Sequence, residues 1–301
     1  MLRVAVAASG GRDSTALLHA TVRAARGTNL RVVALHVHHG LNPAADGWQD
    51  AVRRQCGRWG VAFSTRRLAT RPAAGQSIEA WARHERYAAL AELATEAGCT
   101  LVLLAHHRRD QAETWLLQAL RGAGVAGLSA MPAARIASGI TWARPWLASP
   151  RDAVEAYVRR HRLSFVEDDS NADPRFDRNR LRLQVWPMLK RAFPDVEGSL
   201  AAAARRAQQA TALAVEVAAH DLVDLRRERG GLRVSHWREL PPARRRNALA
   251  AWLLQTLPKG VPGTLVDRLL AEVPQSAAAR WPAPGGEVRL YRGAMTFVSS
   301  G

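Results

Sequence analysis

The residues best placed to do chemistry are Ser9-Gly10-Gly11-Arg12-Asp13-Ser14, between the apolar run Leu2–Ala8 and a helix-period stretch that begins near Ser14. Adjacent glycines allow positive φ and let a ligand approach the backbone closely. A helix starting here turns free N–H groups and the positive end of its dipole toward the loop. The two serines add hydroxyl donors. The whole reads as a cradle for phosphate. A Walker A loop would need a lysine before its Ser/Thr, and no lysine precedes Lys190. A dinucleotide-binding loop would need G-x-G-x-x-G, which does not occur here. Ala7-Ala8-Ser9-Gly10-Gly11 also resembles a nucleophile elbow with alanine for the first glycine. That reading makes Ser9 the nucleophile of a serine hydrolase and stands as the main rival. Against it, Ser9 follows the first strand and no H-G-G-G oxyanion motif is present.

Four histidines offer a second chemistry. His36 and His38 fall on one face of a strand by period-two alternation. With His106 and His107 they could be read as zinc ligands, but H-x-H-H lacks the accompanying carboxylates. Packed histidines, or histidines against a nucleotide, fit better. Asp110 opens a helix, where it is either an N-terminal cap or a carboxylate that handles a metal ion or a proton. Glu79, Arg83 and Arg86 share one helix face at i, i+4 and i+7, as a surface salt bridge or as a face that meets substrate. Glu167-Asp168-Asp169 is a dense acidic run in a basic chain, either a solvated turn or a pocket for a cationic substrate. Arg178, Arg180 and Arg182 could bind polyanion phosphates or pair with those acids. Arg244-Arg245-Arg246 sit near a predicted helix N-terminus, where the dipole disfavours positive charge. RNA contact and a solvated face are both open there.

The elements that must hold these residues alternate. Apolar runs at Leu2–Ala8, Arg31–Val37, Val61–Leu68, Leu101–Ala105 and Ile140–Leu147 are separated by helix-period stretches near 14–26, 47–59, 77–97 and 110–121. Such alternation predicts an α/β fold, a Rossmann-like parallel sheet with helices on both faces. After Arg180 the pattern changes. Residues 195–229 form one long alanine- and arginine-rich helical stretch ending at Gly230-Gly231. A strand-like piece (Leu232–Trp237), helices near 242–257 and 263–273 and a hairpin (Glu287–Val298) follow, predicting a smaller α+β C-terminal domain.

Composition narrows the function class. Of 301 residues 48% are hydrophobic and 23% charged, which excludes a disordered chain. No apolar run reaches the roughly 20 residues of a membrane helix. The first residues run into a glycine turn and read as a strand, not a signal peptide. Cys56 and Cys99 form no C-x-x-C pair, and the expected compartment is the reducing cytoplasm. Formal net charge is +17, and all but two of the 43 basic residues are arginine. A surplus of this size favours a polyanionic partner, nucleic acid ahead of membrane. The chain could act as a monomer or a homodimer.

The loop S-G-G-x-D-S after an N-terminal strand resembles that of the N-type ATP pyrophosphatases, enzymes that adenylate a substrate and release pyrophosphate. Further stretches resemble the tRNA(Ile)-lysidine synthetases of that superfamily. They are His36-Val37-His38-His39-Gly40-Leu41-Asn42, Gly75–Arg83 with Arg86-Tyr87, and Ala105–Thr114. Arg121-Gly122-Ala123-Gly124, Arg144-Pro145-Trp146-Leu147, Asp169-Ser170-Asn171 and Phe176–Arg182 continue the series. The resemblance spans about residues 9–190 and implies a set of roles. Ser9, Gly10, Gly11, Arg12, Asp13 and Ser14 would bind ATP, with His36 and Val37 near adenine. Asp13 and Asp110 would hold Mg²⁺, and Asp110 or His107 would act as base. Glu79, Arg83, Arg86, Arg121, Asp169, Asn171, Arg178, Arg182, Arg244, Arg245 and Arg246 would meet tRNA or lysine. The substrates implied are ATP, free L-lysine and the minor isoleucine tRNA with a CAU anticodon. The implied division is a catalytic domain over 1–190, a helical linker over 191–230 and a small tRNA-binding domain over 231–301. The family has two acids where this chain has Arg109-Asp110, which puts a two-carboxylate scheme in doubt. Longer members carry a further C-terminal domain, which this chain is expected to lack.

Overall fold

The computed structural model describes residues 2–40, 42–69, 78–167, 173–227, 230–258 and 260–300, except the side chains of Ile78 and Glu79. The chain divides into two units, Met1–Gln208 and Gln209–Gly301. The boundary falls inside one 30-residue helix, α9 (Val196–Leu225).

The first unit is built on a six-stranded sheet of order β3-β2-β1-β4-β6-β5. The strands are β1 (Leu2–Ala7), β2 (Leu30–His38), β3 (Ala62–Arg67), β4 (Leu101–Leu103), β5 (Ala134–Ala137) and β6 (Ile140–Ala143). β1, β2, β3, β4 and β6 pair in parallel, as the alternation of elements predicts. β5 departs from that expectation by pairing antiparallel with β6. It is a short edge strand of exposed residues (Ala134–Ile136), with no apolar run to announce it. The crossovers are α1 (Arg12–Ala25), α2 (Ala45–Trp59), α3 (Ile78–Glu96) and α4 (Arg108–Leu120), followed by the short α5 (Val125–Leu128) and by α6 (Arg151–Arg160).

Alternation along β2 gives the sheet two cores. Val33, Leu35 and Val37 pack with Leu90, Leu93 and Trp142 beneath α3. Val32 and Ala34 pack with Leu17, Leu18, Val52 and Cys56 beneath α1 and α2. Each fully buried side chain of this size contributes about 1.5–3 kcal/mol. β1 is the central strand: the chain runs outward from it through β2 to β3, then returns to its other side at β4. Strand order therefore reverses between β1 and β4, and ligands of open parallel sheets bind at the C-terminal ends of strands at such a point.

Beyond the sheet, α7 (Asp177–Arg180), a π-helical turn (Leu181–Val185) and α8 (Trp186–Ala192) run as one continuous helical stretch. Pro187 has no N–H to give the carbonyl of Leu183, and the helix widens just before it.

The second unit holds α10 (Val234–Glu239), α11 (Pro242–Thr256) and α12 (Gly263–Glu272) with a four-stranded antiparallel sheet. Its order is β7 (Leu232–Arg233), β10 (Ala294–Ser299), β9 (Gly286–Tyr291), β8 (Ala279–Ala283). The hairpin and both longer helices match expectation. Leu232–Trp237 does not form one strand: it leaves the sheet after Arg233 and turns into α10, so that Trp237 enters the core with Leu249, Leu253 and Trp281. α9 ends at Leu225, ahead of the glycine pair, because Arg226 bridges Leu232 and Arg227 N–H bonds to Gly231 O at 2.8 Å. Among the described residues no helix is long and apolar enough to cross a membrane.

Candidate active site at the strand-order switch

Ser9–Gly11 joins β1 to α1. Gly10 has φ +91°, and a Cβ there would lie 3.1 Å from Val52 Cγ2, so both conformation and space require glycine. Its carbonyl accepts from Val166 N–H at 2.9 Å and from Thr15 Oγ1 at 3.2 Å, which fixes the turn. Gly11 is the N-cap of α1 and no side chain caps the helix. The first turn of a 14-residue helix thus presents its N–H groups and positive dipole end to the loop. Ser9 Oγ and Ser14 Oγ lie 3.0 Å apart, and Ser14 Oγ also donates to Gly11 O at 3.0 Å. Ser9 therefore has a serine, not a histidine, as its side-chain partner, which removes the activation that a serine hydrolase needs. Arg12 is tethered, with Nη1 2.8 Å from Glu155 Oε1 on α6 and Nε 3.2 Å from Asp13 Oδ1.

The loop after β4 faces this cradle across the switch point. His107 caps α4: its backbone N–H donates to Asp110 Oδ2 at 3.0 Å, and its Nδ1 accepts from Asp110 N–H at 3.4 Å. The same imidazole points Nε2 at Asp13 Oδ2, 3.6 Å away. His107 is thus held between a carboxylate from each of the two loops. Burial acts to raise the Asp13 carboxyl, but the His107 hydrogen bond and the charges of His107 and Arg12 outweigh it and leave its pKa lowered.

Asp110 serves as cap and as charge partner at once. Its Oδ1 accepts from Arg178 Nη2 at 2.8 Å and Arg182 Nη2 at 2.9 Å. Burial would raise its carboxyl, yet His107, Arg178, His106 and Arg182 bring it down to about 2. A carboxylate offers about four acceptor positions. Two arginines take Oδ1 and the His107 backbone N–H takes one position of Oδ2, so three of the four are filled. Asp110 is thus chiefly a partner of two arginines and of the helix cap, and a carboxyl this acidic is a poor base. Asp13 fits Mg²⁺ better: it is ionised, only half-buried, and stands among the serine hydroxyls of the phosphate loop.

Glu113 is the residue that reading the sequence missed. It is fully buried one turn after Asp110 and accepts from Arg178 Nε at 3.0 Å, Arg182 Nε at 2.9 Å and Arg109 Nε at 3.2 Å. The signal was its i+3 spacing from Asp110, matched by the i, i+4 spacing of Arg178 and Arg182. Arg109 stands where the family has an acid; it reaches Glu113 and stacks over Trp186 at 4.8 Å, away from His107. The two carboxylates on His107 are Asp13 and Asp110 instead.

Other expected residues divide. His36 is buried, and its Nδ1 lies 2.7 Å from Ala8 O, so Nδ1 carries the proton and Nε2 keeps its lone pair. Burial lowers its pKa, against the carbonyl bond that raises it. Val37 points to the opposite face, into the core beneath α3, and could meet adenine only through its backbone. Among the described residues no group of three or more His, Cys, Asp or Glu is placed to hold a metal. Arg121 pairs with Asp177 at 2.8 Å. Arg178 and Arg182 pair with Asp110 and Glu113; Asp168 and Asp169 of the acidic run lie outside the described residues, as does Asn171. The Glu79 side chain lies outside them too, so its pairing with Arg83 is not described.

The arginine triplet has a structural use after all. Arg244 forms a two-pronged pair with the buried Asp221, Arg245 Nη2 donates to Arg238 O at 2.6 Å, and Arg246 pairs with Asp267 at 2.6 Å. The dipole argument fails here because these acids offset the charge.

Residues 2–189 match the PP-loop domain family, and residues 232–295 match the TilS substrate binding domain. A tRNA(Ile)-lysidine synthase of Polaromonas naphthalenivorans is 42% identical over 84% of this chain and 75% of its own length. The chain belongs to the PP-loop family, in its tRNA(Ile)-lysidine synthase branch. Another such synthase, from Ralstonia nicotianae, is 46% identical over 99% of this chain and 65% of its own length. One from Alkalilimnicola ehrlichii is 43% identical over 95% and 64%. The chain thus spans just under two thirds of these two relatives. Among solved structures, the U34-tRNA thiolase NcsA from Methanococcus maripaludis shares the fold, with TM-score 0.59, 16% identity and coverage of 68% of this chain and 71% of its own.

Proposed function

We propose that the chain ligates L-lysine to C2 of the wobble cytidine in a CAU-anticodon isoleucine tRNA, by way of an adenylated tRNA. The observation that carries this reading is the uncapped α1 cradle, with Asp13 and Asp110 flanking His107 at the strand-order switch. Ser9, Ser14 and the N–H groups of α1 bind the β- and γ-phosphates of ATP. The cytidine 2-carbonyl oxygen then bonds to the α-phosphorus as the bond to the bridging oxygen breaks and pyrophosphate leaves. Positive charge at the helix end stabilises the leaving anion. Asp13 would hold Mg²⁺, which would supply further charge neutralisation there. Next the lysine ε-amine attacks C2, the C2–O bond breaks and AMP departs. His107 is the better candidate to take the amine's proton, since Asp110 is too acidic.

The match of residues 232–295 to a substrate binding domain supports tRNA contact by the second unit. One face of its sheet lines a cavity of about 510 Å³ with Arg280, Arg289 and Tyr291. Arg83 and Arg86 remain proposed RNA contacts of the first unit, and Arg178 and Arg182 position Asp110. A cytoplasmic setting goes with these substrates. A thiolase using a cysteine-held cluster is the weaker reading, because Cys56 and Cys99 lie in separate cores on opposite faces of the sheet.

The test is incubation of the purified protein with ATP, [¹⁴C]lysine and the CAU tRNA transcript. Label is expected in the tRNA, and none in a transcript carrying a UAU anticodon. Loss of ATP without labelled tRNA would overturn the assignment.

A further inference from the structure

A cavity of about 460 Å³ opens in the first unit between α3 and the β5–β6 hairpin, lined by Arg83, His84, Tyr87, Met131, Arg135 and Arg144. Its described lining carries guanidiniums and no carboxylate. Three guanidiniums surround the Tyr87 ring, with Cζ to centroid distances of 5.1 Å for Arg135, 5.4 Å for Arg83 and 5.9 Å for Arg86. Arg144 forms the floor and is 3% exposed. Its Nη1 donates to Pro132 O at 2.9 Å and its charge interacts with the Tyr87 hydroxyl, while among the described residues neither its buried Nε nor that hydroxyl makes a hydrogen bond of ordinary geometry.

Among the described residues no carboxylate pairs with Arg83, Arg86, Arg135 or Arg144, whereas nearby Arg109, Arg121, Arg151, Arg178 and Arg182 all have acidic partners. Like charges crowded into one partly desolvated pocket repel, and a buried unpaired guanidinium is costly. A fold bears that cost where an anion completes the site. Planar guanidinium forks match a phosphate group in shape and charge. The exposed Arg83 and Arg135 form the rim and Arg144 the floor.

Leu104 N–H donates to Ala143 O at 2.8 Å, which sets Arg144 at the end of β6 beside the end of β4, the strand that leads to His107. His106, next in the chain to His107, is pushed down to about 3 by burial, with Arg144, Arg178 and Arg86 adding to the effect against the opposing charge of Asp110. A group seated at Arg144 therefore sits within electrostatic reach of the loop that carries His107 and Asp110.

We infer that this pocket binds a backbone phosphodiester of the RNA strand, next to the nucleotide under attack. The inference rests on RNA being the polymeric substrate, and it adds a defined phosphate site formed by Arg83, Arg135 and Arg144 beside Tyr87. It holds the strand while the target base reaches the α-phosphate of ATP.

The test compares binding of the CAU tRNA transcript with binding of α,β-methylene ATP in the absence of RNA. Arg135→Glu, on the rim, is expected to raise the Kd for tRNA about tenfold and to reduce the salt slope by about one. Nucleotide Kd should stay within about twofold of wild type. Arg144→Lys keeps the charge but loses the fork, and is expected to weaken tRNA binding severalfold with nucleotide binding preserved. An unchanged tRNA Kd and salt slope in Arg135→Glu would overturn the inference. So would a parallel loss of nucleotide affinity, which would assign the pocket to ATP's own phosphates. Should Arg144→Lys fail to fold, the exposed Arg135 variant still decides. None of these measurements needs lysine transfer. A wild-type protein that binds tRNA through these arginines but does not incorporate lysine would refute the proposed reaction and leave the phosphate site standing.

Discussion

Asp13, His107 and Asp110 act at the residue scale as one line of charge from the phosphate loop into α4. The two carboxylates have different duties because their surroundings differ. Asp13 is half-exposed beside the cradle, whereas Asp110 already accepts from Arg178, Arg182 and the His107 N–H. Asp13→Asn is expected to reduce lysine incorporation about a hundredfold or more, with little change in melting temperature. Wild-type activity would remove Asp13 from the mechanism. Asp110→Asn acts on stability. Its carboxyl is held at about 2 in the fold, against about 3.9 for a free side chain, so the unfolded chain binds this proton more tightly. The stabilisation is in full force above about pH 4 and is lost as pH falls toward about 2. Denaturant unfolding of Asp110→Asn at pH 7 should show a loss of about 2 kcal/mol or more, closing across that window. A gap independent of pH would contradict the pairing. Asp13, His107 and Asp110 were legible from the sequence because each follows a strand of a recognisable alternation. The pairing of Asp110 with Arg178 and Arg182 was not, since they reach it from about 70 residues farther along the chain.

At the scale of elements, one left-handed residue sets the cradle. Gly10 at φ +91° aims its carbonyl at Val166 and Thr15 and leaves the α1 N–H groups facing outward. Gly10→Ala would impose a strained conformation costing about 1–3 kcal/mol and a contact with Val52. The expected outcome is a lower melting temperature and ATP binding weakened at least tenfold. Unaltered ATP affinity would show that the loop does not form the phosphate site. The parallel strands could be read from their apolar runs, buried on both faces. β5 could not, because an exposed edge strand needs no apolar pattern. Leu232–Trp237 looked like a strand by composition, but burying Trp237 among Leu249, Leu253 and Trp281 requires the chain to leave the sheet. The π turn ahead of Pro187 likewise follows from one missing N–H, and it carries Arg182 within reach of Glu113.

The whole molecule carries a formal charge of +17, and the structure divides that surplus into paired and unpaired arginines. Arg244 and Arg246 pair with Asp221 and Asp267, whereas among the described residues no carboxylate pairs with the arginines around Tyr87. Which acids the fold brings to them, something the linear sequence does not display, separates them. Affinity for tRNA should fall steeply with salt, with log K against log salt losing about 0.9 per phosphate contacted. Arg246→Ala should leave that slope nearly unchanged, while Arg135→Glu should flatten it. The reverse ranking would contradict this division. The central claim is that the cradle releases pyrophosphate, so that ATP is cut between its α- and β-phosphates. Turnover of [α-³²P]ATP with lysine and the CAU tRNA, resolved by thin-layer chromatography, tests it most directly. The account predicts label in AMP, in amounts equal to the lysine incorporated, and dependent on tRNA. Label appearing in ADP would contradict it.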